Sequence, residues 1–183
     1  MRRGNRTFAR ILVCALAAAA APALAQQQPP APVQTAPQQT TATYEDWVVR
    51  CETRAGPPPA KNCEMVQFTR AQGQTGVLTQ IAIGKPVRGQ PIKIVVQVPI
   101  AVWLPTGVRL TTGARDPGVA ASFKRCLPTA CFADTDVKDD VIKRFRSSKD
   151  AGQLQFKDVN LKDVALPVSF KGFSAAYDAL AKE

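Results

Sequence analysis

Short runs in which every second residue is apolar, broken by turn residues at intervals of eight to twelve, constrain this chain more than any other feature. Trp47, Val49 and Cys51 alternate with Val48 and Arg50, and Ile92, Ile94, Val96 and Val98 alternate with Lys93, Val95 and Gln97. A period of two is the signature of a strand with one buried face. Further strands are predicted at 63–70, with Val66 and Phe68 on one face, and at 77–83, closed by Gly84. Others follow at 108–112, 154–159 and 164–170, and Ala120–Cys126 and Ala130–Ala133 form a tight hairpin. The breaks are Ala55-Gly-Pro-Pro-Pro59, Gln72-Gly-Gln-Thr-Gly76, Pro99 to Pro105, and Gly113 to Gly118. Strands this short, with no helices between most of them, point to an all-β antiparallel sandwich or barrel rather than a parallel sheet.

Two short helices are predicted late in the chain. Asp136 is placed to cap the first, with Asp139 and Asp140 in its first turn and Lys143, Arg144 and Arg146 near its end, each complementing the helix dipole. Val137, Val141, Ile142 and Phe145 share one side of it. The second spans 174–181, with Tyr177 and Leu180 facing inward. In the strand before it, Val164, Leu166, Val168 and Phe170 share a face. Pro167 lies on the other and cannot donate to a ladder, which predicts an edge strand.

The first 25 residues fix the compartment. Arg2, Arg3, Arg6 and Arg10 precede an apolar run from Ile11 to Ala21, and Ala23-Leu-Ala25 places small residues at the −3 and −1 positions of a cleavage site. This is the pattern of a secretory signal peptide, residues 1–25. The run is shorter than the roughly 20 apolar residues a spanning helix needs, so no stable transmembrane segment is expected after cleavage. Cys14 lies inside the run and leaves with it. Cleavage lowers the net charge from +10 to +6 and leaves 158 of 183 residues, one domain and a tail. Residues 26–43 hold six glutamines, four prolines and no charge; they are read as a disordered linker, with a single domain at 44–183. A periplasmic or secreted location follows, and with it an oxidising environment.

Four cysteines survive cleavage. They allow three pairings. Cys51 and Cys63 flank the proline-rich turn between the first two strands, and Cys126 and Cys131 flank a turn with Pro128, so local pairing is expected to staple two hairpins. The spacings suit neither a zinc site nor a redox C-x-x-C pair, and no metal or cofactor is expected. The chain has no histidine, which removes Ser-His and Cys-His nucleophile pairs. Glu45, Asp46, Glu52, Glu64, Asp139 and Asp140 are the acids available to a carboxylate-pair hydrolase, but Glu45 and Asp46 fit a soluble strand entry and Asp139 and Asp140 the first turn of a helix. No catalytic residue is assigned. Lys143, Arg144, Arg146 and Lys149, extended by Lys124 and Arg125, form a possible anion-binding ridge or simply a solvated face. Trp103 is either a core tryptophan or an exposed anchor for a partner. The excess of Lys and Arg favours acidic surfaces such as lipid headgroups or anionic glycans; nucleic acid is a poor partner outside the cytoplasm.

In sequence order, Trp47-Val-Val-Arg-Cys51, Cys63 with Gln67, Pro105-Thr-Gly-Val-Arg-Leu110, Cys126-x4-Cys131 and Val168-Ser-Phe-Lys-Gly-Phe173 resemble the invasion-associated locus B family, over about residues 44–181. Phe170 stands where that family usually has Leu, a change within the apolar class. The resemblance implies an immunoglobulin-like β-sandwich and a secreted or periplasmic protein of Gram-negative bacteria. The family's namesake is linked to entry into host cells, and the family supplies no catalytic residues. The function expected is therefore non-enzymatic binding of an envelope or host-surface protein, lipid or glycan. The alternative is a chaperone-like protein that receives client strands at a sandwich edge near Pro167.

Overall fold

A computed structural model describes residues 38–70, 73, 76–85, 89–149 and 151–183. The expected signal peptide, Cys14 and residues 26–37 of the expected linker lie outside these. Ten strands run β1 (Gln38–Tyr44), β2 (Trp47–Arg54), β3 (Ala60–Arg70), β4 (Val77–Gly84), β5 (Lys93–Val98), β6 (Val108–Thr111), β7 (Val119–Leu127), β8 (Ala130–Asp136), β9 (Gly152–Lys157) and β10 (Asp163–Val168). Helix α1 (Asp139–Ser147) follows β8, and α2 (Phe173–Leu180) closes the chain.

All paired strands are antiparallel, in the order β1-β2-β3-β4-β5-β8-β7-β6-β9-β10. The sandwich arises by curling this one sheet. β7 is where it turns: Val119 to Ala121 pair with β6, Ser122 to Leu127 pair with β8, and the register shifts between Phe123 and Arg125. Such an irregularity bends a strand and lets one half of the sheet fold over the other. Trp47, Val49, Met65, Ile83, Ile94 and Val96 from one half then meet Val108, Leu110, Leu154, Phe156 and Val168 from the other in one core.

One end of that core is aromatic. Phe173 lies edge-on to Trp47 at 5.1 Å and to Phe145 of α1 at 5.6 Å, and Phe145 contacts Phe170 at 5.1 Å. The Trp47 indole N–H donates to the Ser169 carbonyl at 3.0 Å. The buried Gln67 amide donates to the same carbonyl at 2.7 Å and accepts from the Ser169 N–H at 3.0 Å. Gly172 turns the chain into α2 at φ +77°, where a Cβ would collide with the Tyr44 carbonyl. The sequence landmarks Trp47, Gln67 and Val168–Phe173 thus form a single clamp that joins the two halves.

The structure corrects two expectations, the linker boundary and the cap of α1. Residues 38–43 belong to β1, in register with β2 from Gln38↔Thr53 to Tyr44↔Trp47. An edge strand can be ordered by its ladder with its side chains in water, so the lack of apolar residues did not make this stretch a linker. On β3 Val66 and Phe68 share a face as expected, with Val66 fully buried, and Met65 and Gln67 on the other face are buried as well. Asp136 does not cap α1: it ends β8 and pairs with Lys93 at 2.6 Å, and the cap position is Lys138. Helix α2 packs Tyr177 and Leu180 against the core as expected, half-buried, and also buries Phe173 and Ala176. Pro167 lies on β10, an edge of the sheet.

Candidate functional site

Cys51 and Cys63 stand opposite each other on β2 and β3, with Cα atoms 4.1 Å apart, and are joined. Cys126 and Cys131 do the same across the β7–β8 hairpin at 4.0 Å. Glu183 approaches the first pair, but its sulfurs are bonded to each other and Glu183 is ion-paired with Lys61.

The basic residues do not form one ridge. Arg125 stands opposite Phe132 beside the hairpin, whereas α1 begins beyond Asp136 at the other end of β8. Lys124 and Arg125 stand on the half of β7 that pairs with β8, whereas Arg144 reaches Asp116 in the loop that precedes the other half. On α1, Arg144 is held by Asp140 at 3.0 Å and lies 3.4 Å from Asp116, and Arg146 pairs with Asp178 at 2.8 Å while covering the Tyr177 ring. These arginines tie α1 to the loop before β7 and to α2. Lys143 and Lys149 are exposed on the same helix end, and Lys149 joins Arg115 and Arg144 around an open depression of about 490 Å³. Arg125 lies over the Phe132 ring, and Lys124 is exposed beside it.

Trp103 behaves differently. It is 40% exposed, in contrast to Trp47, which is fully buried. It lies on the β5–β6 loop, and this loop is zipped to the β9–β10 turn by backbone bonds from Trp103 N–H to the Lys157 carbonyl and from Val159 N–H to the Ala101 carbonyl, both 2.9 Å. Val102 and Asp158 form a bridge between them. The Asp158 carboxylate fixes the turn by accepting from the N–H groups of Asn160 at 2.8 Å and Lys162 at 2.9 Å. Ala101 and Leu161 both adopt left-handed backbone, at φ +65° and +64°.

These two loops carry Ile100, Trp103, Leu104, Val159 and Leu161. They are five of the seven exposed large apolar side chains among the described residues. A sixth, Leu127, sits on the disulfide hairpin whose Cys131 pairs with Val98 at the end of β5. Periodicity could not find this cluster, because loops have none. The available signal was composition: Ile100-Ala-Val-Trp-Leu104 and Val159-Asn-Leu161 are unusually apolar for turns. A depression of about 530 Å³ opens nearby, lined in part by Thr106, Arg109, Gln155, Lys157 and Val164.

Comparison with known proteins agrees with this scaffold. The family model for Invasion associated locus B (IalB) protein matches residues 47–181. Two curated relatives, the invasion protein B homologues of Brucella abortus strain 2308 and of biovar 1 strain 9-941, are each 27% identical over 138 residues, which cover 75% of this chain and 77% of theirs. The crystal structure of invasion associated protein B from Bartonella henselae superposes with a TM-score of 0.66 at 20% identity, over 78% of this chain and 95% of that one. That likeness establishes the shared fold, and with the family match it shows that the chain belongs to the invasion-associated locus B family.

Proposed function

We propose that this is a non-enzymatic binding protein of the cell envelope, exported to the periplasm or beyond, and that the zipped loops around Trp103 are its contact surface. The observation that carries this is the concentration of exposed apolar side chains on two loops held rigid by a carboxylate clasp and two strained residues. Large exposed apolar groups on a monomer mark interaction sites, and backbone strain persists where the surroundings enforce it, commonly at functional sites. Export is supported by the N-terminal sequence pattern and the two disulfides. The absence of histidine and the pairing of Glu64 with Arg50, Glu52 with Arg54 and Asp140 with Arg144 support a role other than catalysis. The relatives' names refer to invasion, and a part in host-cell entry is one setting in which such a surface would act.

Strand capture at the sheet edge is less favoured. The apolar groups lie on loops, and Pro167 removes a donor near the end of β10. The test is site-specific photo-crosslinking from position 104 in intact cells, followed by mass spectrometry. A discrete adduct to an envelope component is expected, from this position and not from one on the exposed face of α1. Equal labelling from both positions would remove the loops as the contact surface.

A further inference from the structure

Resting on that reading, we infer that the loop pair docks on an anionic lipid bilayer, with Ile100, Trp103, Leu104, Val159 and Leu161 entering the headgroup–acyl boundary. The apolar groups are the first part of the argument. They project from loops that are bonded to each other through backbone, so that inserting them requires no rearrangement and little ordering cost. Tryptophan in particular favours the level where apolar and polar phases meet.

Charge is the second part. The segments that form this end of the sandwich, residues 99–108, 124–127 and 157–163, contain Lys124, Arg125, Lys157 and Lys162 against two acids, Asp158 and Asp163. Both acids are engaged, Asp158 by the turn N–H groups and Asp163 by Lys157 at 2.6 Å. The rim around the apolar loops is therefore cationic. A second copy of this chain would bring like charges together, whereas an anionic headgroup layer complements both the rim and the apolar centre. This arrangement also places Lys124, Arg125 and Trp103 in one role, with the α1 basic residues outside it.

The test uses the exported protein purified from the periplasm and vesicles of phosphatidylethanolamine with phosphatidylglycerol, against vesicles of phosphatidylcholine alone. Because Trp47 is buried, Trp103 reports on the loops. Binding to the anionic vesicles, a blue shift of emission, and quenching by acyl chains brominated near the headgroup are expected. Leu161→Asp and Val159→Asp should each weaken partition about tenfold, the size of losing one buried apolar side chain. Lys162→Glu should weaken binding to anionic vesicles at low salt and leave the blue shift of the bound fraction unchanged. Melting temperatures of the variants near that of the parent confirm that they are folded.

Failure to bind the anionic vesicles overturns the lipid assignment, as does binding that the loop variants do not affect. If vesicles are not bound but position 104 crosslinks to one envelope protein, the contact surface stands and its partner is a protein. If the protein instead self-associates and Leu161→Asp dissolves the oligomer, the surface joins two copies. If neither vesicle, protein nor second copy is engaged, the interaction reading fails as well.

Discussion

Asp116 shows how a charge is made structural at the scale of one side chain. Its carboxylate is nearly buried and accepts from Thr112 N–H at 2.8 Å, the Thr112 hydroxyl at 3.0 Å and Gly118 N–H at 3.1 Å, with Arg144 at 3.4 Å. Burial alone pushes this carboxyl up, but the two N–H groups, the hydroxyl and the Arg144 guanidinium together hold it below its ordinary value of 3.8. A depressed folded-state value contributes stability that is complete above the unfolded-state value and is lost as pH falls through the folded one. Asp116→Asn is therefore expected to lower stability at pH 7 by about 2 kcal/mol, and the gap should close as the pH is taken below that ordinary value. Urea midpoints across an acid series test this, and a gap constant to the lowest pH would show that the charge is not its source. Gln67→Leu should cost a similar amount, roughly 2 kcal/mol, because it strands the Ser169 N–H and leaves the Ser169 carbonyl with Trp47 as its one side-chain donor. Neither role was legible in the sequence. Ser169, which exchanges two hydrogen bonds with Gln67, lies 102 residues away, and Asp116 falls within the break from Gly113 to Gly118.

Strands and helices were more visible than their partners. The period-two runs located nearly every strand, because each has one buried and one wet face. β1 escaped because its side chains are all exposed or half-exposed and its order comes from the ladder with β2. The cap of α1 was misplaced because β8 continues through Asp136, and Val137 N–H still reaches the Ile92 carbonyl at 2.8 Å. The local disulfides were legible because each joins directly opposed residues of one hairpin. Cys51–Cys63 spans 12 positions and Cys126–Cys131 spans 5. Loop closure then implies losses of about 3 and about 2 kcal/mol for the paired Ser substitutions, so the first pair should lower the thermal midpoint more than the second. Equal shifts would mean that native packing around the sulfurs, and not chain entropy, dominates. At the entry to α2, Gly172→Ala is expected to cost at least about 1–2 kcal/mol, since it meets both the left-handed backbone and the Tyr44 carbonyl.

For the whole molecule, the architecture class was legible and the closure of the sheet was not. Alternation gives each strand's faces but is silent on neighbours, and the placement of β5 beside β8 rather than β6 is a non-local choice. The landmarks Trp47, Gln67 and Val168–Phe173 hold that closure together. The two disulfides tie the molecule's stability to redox conditions. The two bridges together amount to about 5 kcal/mol by loop closure, comparable with the entire net stability of many domains. A reducing cytosol would withhold that contribution. Alkylation of denatured protein distinguishes the possible states, because the chain has five cysteines and four lie in bridges. Exported protein whose leader has been removed should label at no thiol, and exported protein that keeps its leader should label once, at Cys14. A version lacking residues 1–25 and held in the cytosol should label four times and accumulate mainly as aggregate, with soluble protein recovered in a strain whose cytosol is oxidising. If the reduced cytosolic form were equally soluble and unfolded at the same urea concentration, the bridges would be incidental to the fold, and the physical case for an oxidising compartment would rest on the leader alone.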